Sequence, residues 1–181
     1  MLIGWSGDGI AAVQQRRTTA HRDARGQFTE IWRDEWHDHD DRPRQWTLCT
    51  SRSRTLRGMH VHRRRVDQLV VVSGTLHLAL HDIRPDSPTA GSSDFRPLGP
   101  EDGSIRIPPG VVHGFWFDDA ASYLLGFSRE WDGSDEWRCR FDDPGLGIDW
   151  PDERPLLSDE DAAAGSLEQL MHDFATDRFL A

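Results

Sequence analysis

The chain has 181 residues, 36% of them hydrophobic and 29% charged, and a formal net charge of −10. This length fits one domain and is sufficient to bury a hydrophobic core without disulfides. All 21 Lys-plus-Arg positions are arginine, which excludes lysine-dependent mechanisms such as Schiff-base chemistry. The acidic balance argues against a nucleic-acid-binding module. No apolar run reaches the ~20 residues that span a bilayer, and no N-terminal stretch resembles a signal peptide, so we expect a cytoplasmic protein with no membrane partner.

Alternating and apolar segments predict a mainly β protein. In chain order, the predicted strands are residues 10–16, 27–32, 46–50, 55–62, 68–73, 75–83, 104–107, 111–117 and 121–127. Residues 33–44 and 84–94 are polar, lack a usable period and are predicted to be loops. Short strands separated by turn signals are typical of a β-sandwich or barrel.

The C-terminal part changes character. Ser158 with Asp161 three residues later resembles a helix cap, with Asp in place of the preferred Glu. Apolar residues then recur at helical spacing as far as Phe174. The sequence therefore predicts a helical region after the strands.

Four potential metal ligands occur in a short pattern. Residues i and i+2 of a strand face the same side, so His60 and His62 are expected to project side by side. Asp67 opens the next predicted strand, and His113 follows a Pro-Pro-Gly turn. This arrangement resembles the two-motif pattern of the cupin superfamily, whose metal-binding members hold a divalent ion. Three imidazoles and one carboxylate suit a transition metal and leave positions open for substrate.

The alternative is that these histidines are ordinary strand residues. The chain has nine histidines, so pairs on one strand face arise easily by chance. His77 and His81 are expected to be such plain sheet residues. The glycine before Met59 and the matching His113 motif favour a functional site around His60.

Six stretches follow one another in the order of one cupin branch. They are residues 23–30 (D-x-R-G-x-F-x-E), 56–60 (L-R-G-M-H), 82–89, 107–115, 147–151 and 157–161. On these motifs the sequence resembles the dTDP-4-dehydrorhamnose 3,5-epimerase family of nucleotide-sugar enzymes. The resemblance covers about residues 7–161.

The resemblance implies a cupin double-stranded β-helix (jelly roll) with short C-terminal helices. It implies a single cupin domain over 1–181, with N-terminal strands and a nucleotide-binding segment over about 1–50. The β-helix core would cover 51–130, and a C-terminal loop and helical region 131–181. It also implies a homodimer formed by strand exchange and a reaction that requires no cofactor.

The resemblance further implies a dTDP-linked deoxysugar as ligand. Arg25, Phe28 and Glu30 match positions that grip the dTDP moiety from the partner subunit. A guanidinium for the diphosphate, a ring for the base and a carboxylate for the imide N–H are physically sensible roles. Arg57 matches a position near the diphosphate or keto group, and His113 matches a residue that lines the sugar pocket.

The implied chemistry is proton abstraction next to the keto group of a dTDP-4-keto-6-deoxyhexose. His60 matches the general base. Asp161 matches the carboxylate that orients this base. The predicted function is therefore that of an epimerase or isomerase.

The sequence departs from the family pattern at catalytic positions. Residues 126–131 contain no tyrosine where the family has its general acid, and Asp67 stands near the place of a family lysine. His62 stands where the family usually has Gln. One hypothesis is a metal-dependent variant, in which a divalent transition metal on His60, His62, Asp67 and His113 replaces the lysine charge. Another is a metal-free relative in which His62 or Glu130 substitutes for the tyrosine.

Two further alternatives belong to other function classes. One is a metal-dependent cupin isomerase, lyase or oxygenase that acts on another small molecule. The other is a non-catalytic protein that binds nucleotide sugars.

Overall fold

The computed structural model describes residues 6–176. Within this part of the chain, the strands are β1 Ser6–Asp8, β2 Ile10–Arg16, β3 Ala20–Asp23, β4 Gly26–Thr29, β5 Gln45–Ser51, β6 Thr55–Val61, β7 Asp67–Ser73, β8 Leu76–Asp82, β9 Ser93–Leu98, β10 Ser104–Ile107, β11 Val111–Phe117, β12 Ala121–Phe127 and β13 Trp137–Arg138. The α-helices are α1 Asp159–Ala162 and α2 Leu167–Thr176, and none of the described helices could cross a membrane.

The strands form two packed antiparallel sheets and a small hairpin. One sheet has the order β1-β2-β10-β7-β12-β5 and the other the order β13-β6-β11-β8-β9, while β3 pairs only with β4. From β5 to β8, and again from β10 to β12, successive strands alternate between the two sheets. This alternation is the jelly-roll pattern, so the predicted mainly β cupin fold with short C-terminal helices is confirmed.

Strand β11 shows how the sequence builds the barrel wall. Val111, Phe115 and Phe117 point into the core between the sheets. Val112 and Trp116 point to the opposite face and pack in a second apolar cluster. Alternate residues of a strand face opposite sides of a sheet, so this strand is buried on both faces.

The C-terminal region covers the outer face of the five-stranded sheet. Leu146, Leu167 and Leu170 pack there with Met59 of β6 and Val112 of β11. A helix does begin after Ser158, whose Oγ accepts the N–H of Asp161 at 3.1 Å. The predicted helical run is interrupted, because the chain between α1 and α2 makes a β-bridge from Gly165 to Cys139.

Four strands were not predicted from the sequence. Strands β1, β3, β9 and β13 lack a clear alternation, since β1 has three residues, β13 has two, and all four residues of β3 are exposed. Strand β4 is shorter than the predicted segment 27–32. In each case pairing with a neighbouring strand stabilises the extended backbone without a hydrophobic stripe.

A buried carboxylate closes β8. Both oxygens of Asp82 accept a hydrogen bond from the Arg84 guanidinium at 2.8 Å, and Oδ2 also accepts the hydroxyls of Ser87 and Thr89. Burial alone raises the pKa of Asp82, but these donors outweigh burial and hold the pKa well below its ordinary value. Asp82 is therefore ionised, and the pair links β8 to the following loop.

We expect Asp82→Asn to lower the free energy of unfolding by about 3 kcal/mol at pH 7, because the Arg84 guanidinium loses its buried counter-charge. A carboxylate with a depressed folded-state pKa contributes stability above its unfolded pKa of about 4, and this contribution is lost as the pH falls. In urea titrations, the difference between the wild type and Asp82→Asn should therefore shrink below about pH 4.

Asp142→Asn is a matched control. Asp142 pairs with the Arg140 guanidinium through the same two-residue spacing, but this pair is exposed. Its loss should change the free energy of unfolding by less than about 1 kcal/mol. Equal effects of the two substitutions would contradict the role assigned to Asp82.

Candidate active site

An open cavity of about 440 Å³ penetrates one end of the barrel. Strands β5, β6, β11, β12 and β13 and the first turn of α1 contribute to its wall. Its charged and titratable lining residues are Cys49, Arg57, His60, His113, Tyr123, Glu136, Arg138, Glu160 and Asp161. Four of the residues predicted from the sequence, His60, Asp161, Arg57 and His113, are among them.

His60 and Asp161 form a hydrogen-bonded pair in this cavity. His60 Nε2 lies 2.7 Å from Asp161 Oδ1, although the two residues are 101 positions apart. Burial raises the pKa of Asp161, but the hydrogen bonds from His60 and from the Gly58 backbone N–H help to outweigh it, and the pKa is lowered. A carboxylate accepts only, so Nε2 carries the proton and Nδ1 keeps a lone pair. This tautomer suits a general base.

The structure brings three of the four predicted metal ligands together. Ligand atoms of His62, Asp67 and His113 lie within 4.8 Å of one another, and all three residues are buried. His60 is not part of this group, and its Nε2 lies 2.7 Å from Asp161 Oδ1 instead. The expectation of one four-residue site is therefore corrected to a histidine–aspartate pair beside a three-residue cluster.

The guanidinium of Arg65 already lies within that cluster. It donates to Asp67 Oδ1 at 2.7 Å and Oδ2 at 3.3 Å, and its Nη2 lies 2.6 Å from His62 Nε2. A guanidinium only donates, so His62 Nε2 accepts, and His62 Nδ1 donates to the Asp135 carbonyl at 2.6 Å. The Asp67 oxygens and His62 Nε2, which would have to coordinate a metal, therefore already accept hydrogen bonds from Arg65. The residues present do not fit a divalent ion.

The loop between β6 and β7 explains why Arg65 is buried. The Asp135 carboxylate accepts the backbone N–H groups of Arg63, Arg64 and Arg65 at 2.8, 3.1 and 3.1 Å. The loop is thereby folded back, and the Arg65 side chain packs over the Phe127 ring. The run of three arginines in the sequence, residues 63–65, therefore forms a turn, and this turn places the positively charged Arg65 side chain in the interior.

Neither residue suggested as a substitute for the missing tyrosine is available in the cavity. Both ring nitrogens of His62 are engaged, one by the Arg65 guanidinium and the other by the Asp135 carbonyl. Glu130 is exposed and belongs to a separate surface depression with Arg64 and Arg129.

Arg57 and His113 both line the cavity. The Arg57 guanidinium donates to Ser51 Oγ at 3.0 Å and to the Thr50 carbonyl at 3.2 Å. His113 Nδ1 donates to the carbonyl of Val111 at 3.0 Å. These bonds leave the exposed part of Arg57 as a positive group at the cavity wall.

The predicted nucleotide-binding residues lie outside this cavity in the protomer. Arg25 and Phe28 are on the β3–β4 hairpin, where Arg25 pairs with Asp23 and Phe28 is 66% exposed. Glu30 follows the hairpin and pairs with Arg33. The structure therefore does not bring these three residues to His60 within one chain.

Glu136 and Arg138 are among the cavity residues that the sequence analysis missed. Glu136 accepts the indole N–H of Trp131 at 3.2 Å and pairs with Arg138. In the register of β13 with β6, Arg138 lies directly opposite His60. No sequence motif marks these residues, because only the pairing of β13 with β6 places them in the cavity.

Comparison with known proteins agrees with this architecture. The sequence pattern of dTDP-4-dehydrorhamnose 3,5-epimerases matches residues 9–169. The chain belongs to the dTDP-4-dehydrorhamnose 3,5-epimerase family. It is 34% identical over 164 residues to the enzyme of that name from Mycobacterium tuberculosis, covering 84% of this chain and 81% of the relative.

A second curated relative and a solved structure are similar along most of the chain. A dTDP-4-dehydro-6-deoxyglucose 3-epimerase from Streptomyces bikiniensis is 31% identical over 168 residues, or 87% of this chain and 86% of that protein. A solved Mycobacterium tuberculosis epimerase superposes with a TM-score of 0.84 at 30% identity, covering 95% of this chain and 92% of the other.

We expect the purified protein to contain no stoichiometric transition metal, because Arg65 engages both Asp67 and His62. Elemental analysis by mass spectrometry measures the metal content, and thermal unfolding with and without EDTA should coincide. One equivalent of bound metal, or a lower melting temperature in EDTA, would show that Arg65 leaves the cluster.

Proposed function

We propose that this protein is an epimerase that acts on a dTDP-4-keto-6-deoxyhexose. The observation that carries the proposal is the His60–Asp161 pair at 2.7 Å inside a cavity that also contains Arg57. Membership of the epimerase family supports the substrate class. The relatives include both 3,5-epimerases and a 3-epimerase. The experiment below therefore identifies which carbon is inverted.

The cavity residues account for the first step of such a reaction. His60 Nδ1 takes the proton from the carbon beside the keto group, and the electron pair of that C–H bond moves to the keto oxygen. Asp161 stabilises the imidazolium that forms. The Arg57 guanidinium provides positive charge at the wall, where it can stabilise the enolate oxygen or the diphosphate. Return of a proton to the opposite face of the same carbon inverts it.

We expect His60→Asn to lower the rate of epimerisation by at least about 100-fold, because the base is removed. The measurement follows dTDP-4-dehydro-6-deoxyglucose in D₂O by NMR. The wild type should incorporate deuterium at C3, at C5 or at both, and the labelled position identifies the reacting carbon.

His77→Asn is the matched control. His77 Nε2 also lies 2.7 Å from an aspartate, Asp118, but this pair is outside the cavity. The variant should exchange and epimerise like the wild type. A wild-type protein that binds the sugar nucleotide without any deuterium exchange would instead favour a non-catalytic relative.

A homodimer is the second part of the proposal. The outer face of the six-stranded sheet carries apolar residues that the protomer leaves uncovered, with Leu48 66% and Val72 50% exposed. Leu48 lies directly opposite Leu124, and Val72 and Leu124 line an open groove of about 610 Å³ beside the β3–β4 hairpin. Apolar surface of this kind next to an unsupported hairpin suits a second copy of the chain.

Strand exchange would also give the hairpin residues a function. Arg25, Phe28 and Glu30 do not line the cavity of their own protomer, and the hairpin has no strand partner in either large sheet. If the hairpin reached the cavity of the partner subunit, the Arg25 guanidinium would bind the diphosphate there and the Phe28 ring would stack on the base. The cavity would then be completed by two chains.

We expect Leu48→Asp to convert the dimer to a folded monomer, because a buried interface charge without a partner is unfavourable. Light scattering after gel filtration measures the mass, and dTDP affinity should fall by at least about tenfold. Met171→Asp, which changes an exposed apolar residue on α2, should stay dimeric. A wild-type protein that is monomeric at all concentrations while it binds dTDP tightly would contradict this part of the proposal.

A further inference from the structure

Inversion of a carbon needs two proton-transfer groups. One removes the proton from one face of the sugar, and the other returns a proton to the opposite face. The His60–Asp161 pair provides one such group. The second must line the same cavity, titrate and be free to touch the sugar.

Most other titratable groups of the cavity are already committed or inaccessible. Tyr123 is fully buried between Phe115 and Phe117, and burial raises its pKa to about 12. His113 donates through Nδ1 to a backbone carbonyl, and its Nε2 faces the buried Asp67 at 3.5 Å. Burial also raises the pKa of the Cys49 thiol.

Of the two remaining carboxylates, Glu136 is the enclosed one. The Glu160 side chain is 76% exposed and pairs with Arg138 at the rim, whereas the Glu136 side chain is 12% exposed. Glu136 is held in place by the Trp131 indole N–H and the Arg138 guanidinium. A carboxylate fixed in this way in a low-dielectric cavity is positioned for proton transfer.

Strand pairing brings the segment that contains Glu136 next to His60. Arg138 lies opposite His60 in the β13–β6 register, and directly opposed residues of antiparallel strands project to one side. Glu136 comes two residues before Arg138, just outside β13, and its side chain lines the same cavity as His60. Burial raises the pKa of Glu136, but His60, His62, the Trp131 indole N–H and Arg138 together outweigh burial, so the pKa is lowered.

On the basis of the proposed function, we propose that Glu136 is the second proton-transfer group of this site and works in tandem with His60. His60 Nδ1 takes the proton as the C–H bond breaks, and the electron pair moves to the keto oxygen. Glu136, which has first taken a proton from water, donates that proton to the same carbon from the other face, and the carbonyl forms again. His60 then gives its proton to water and Glu136 takes another, which resets the pair.

The test compares two rates for each variant in D₂O with dTDP-4-dehydro-6-deoxyglucose. The first is deuterium exchange at the reacting carbon, and the second is formation of the inverted sugar. Glu136→Gln keeps the size of the side chain but cannot transfer a proton. We expect it to retain exchange through His60 while inversion falls by at least about 100-fold. Glu130→Gln, which changes an exposed residue outside the cavity, should leave both rates unchanged.

The ratio of exchange to inversion decides the result. Inversion by Glu136→Gln within threefold of the wild type would overturn the proposal, and so would an equal loss of both rates, since a residue that only holds the sugar or the fold would lower them together. If Glu136→Gln does not fold, Glu136→Ala, which also cannot transfer a proton, provides the same ratio, and a wild-type ratio in that variant would also overturn the proposal. If the wild type showed no deuterium exchange, the proposed function itself would be rejected. That outcome is distinct from a failure of the proposal for Glu136, in which the wild type still exchanges.

Discussion

The wall formed by β6 and β11 has to be covered on both faces, and much of the site follows from this constraint. Its inner face carries Phe115 and Phe117 into the barrel core, while its outer face carries Met59 and Trp116. Removing these side chains from water provides the main driving force for folding. The C-terminal region can cover the outer face only by returning across β6.

This covering layer is also what completes the histidine pair. The return of the chain along β6 includes a bridge from Leu156 to Thr55, and α1 begins shortly afterwards. The Ser158 cap then orients the first turn of α1, so that Asp161 reaches His60. The packing of the C-terminal region on the outer face of the sheet therefore stabilises the His60–Asp161 hydrogen bond inside the cavity. If this region packed less tightly, Asp161 would move away from His60.

Two buried carboxylates, those of Asp67 and Asp82, are each paired with an arginine. Arg65 meets Asp67 and Arg84 meets Asp82, in both cases through two guanidinium nitrogens. A planar guanidinium matches both oxygens of a carboxylate and stays protonated when buried, whereas an ammonium is a point charge whose pKa shifts readily. At the position where a cupin motif suggests a metal, this chain has a cation of its own.

Much of the fold and part of the site could be predicted from the sequence. The alternation of apolar residues defined most strands, and the motifs around His60, His113 and Asp161 identified the family and the pair, because these signals are local. Arg65, Glu136 and the hairpin could not be assigned in this way. Whether Asp67 faces a metal or a guanidinium depends on the β6–β7 turn that Asp135 folds back. The position of Glu136 depends on the register of a two-residue strand. The sequence alone thus determined which residues are able to do chemistry, while the tertiary structure decided which of them meet, since side chains far apart in the chain approach only after both faces of the wall are packed.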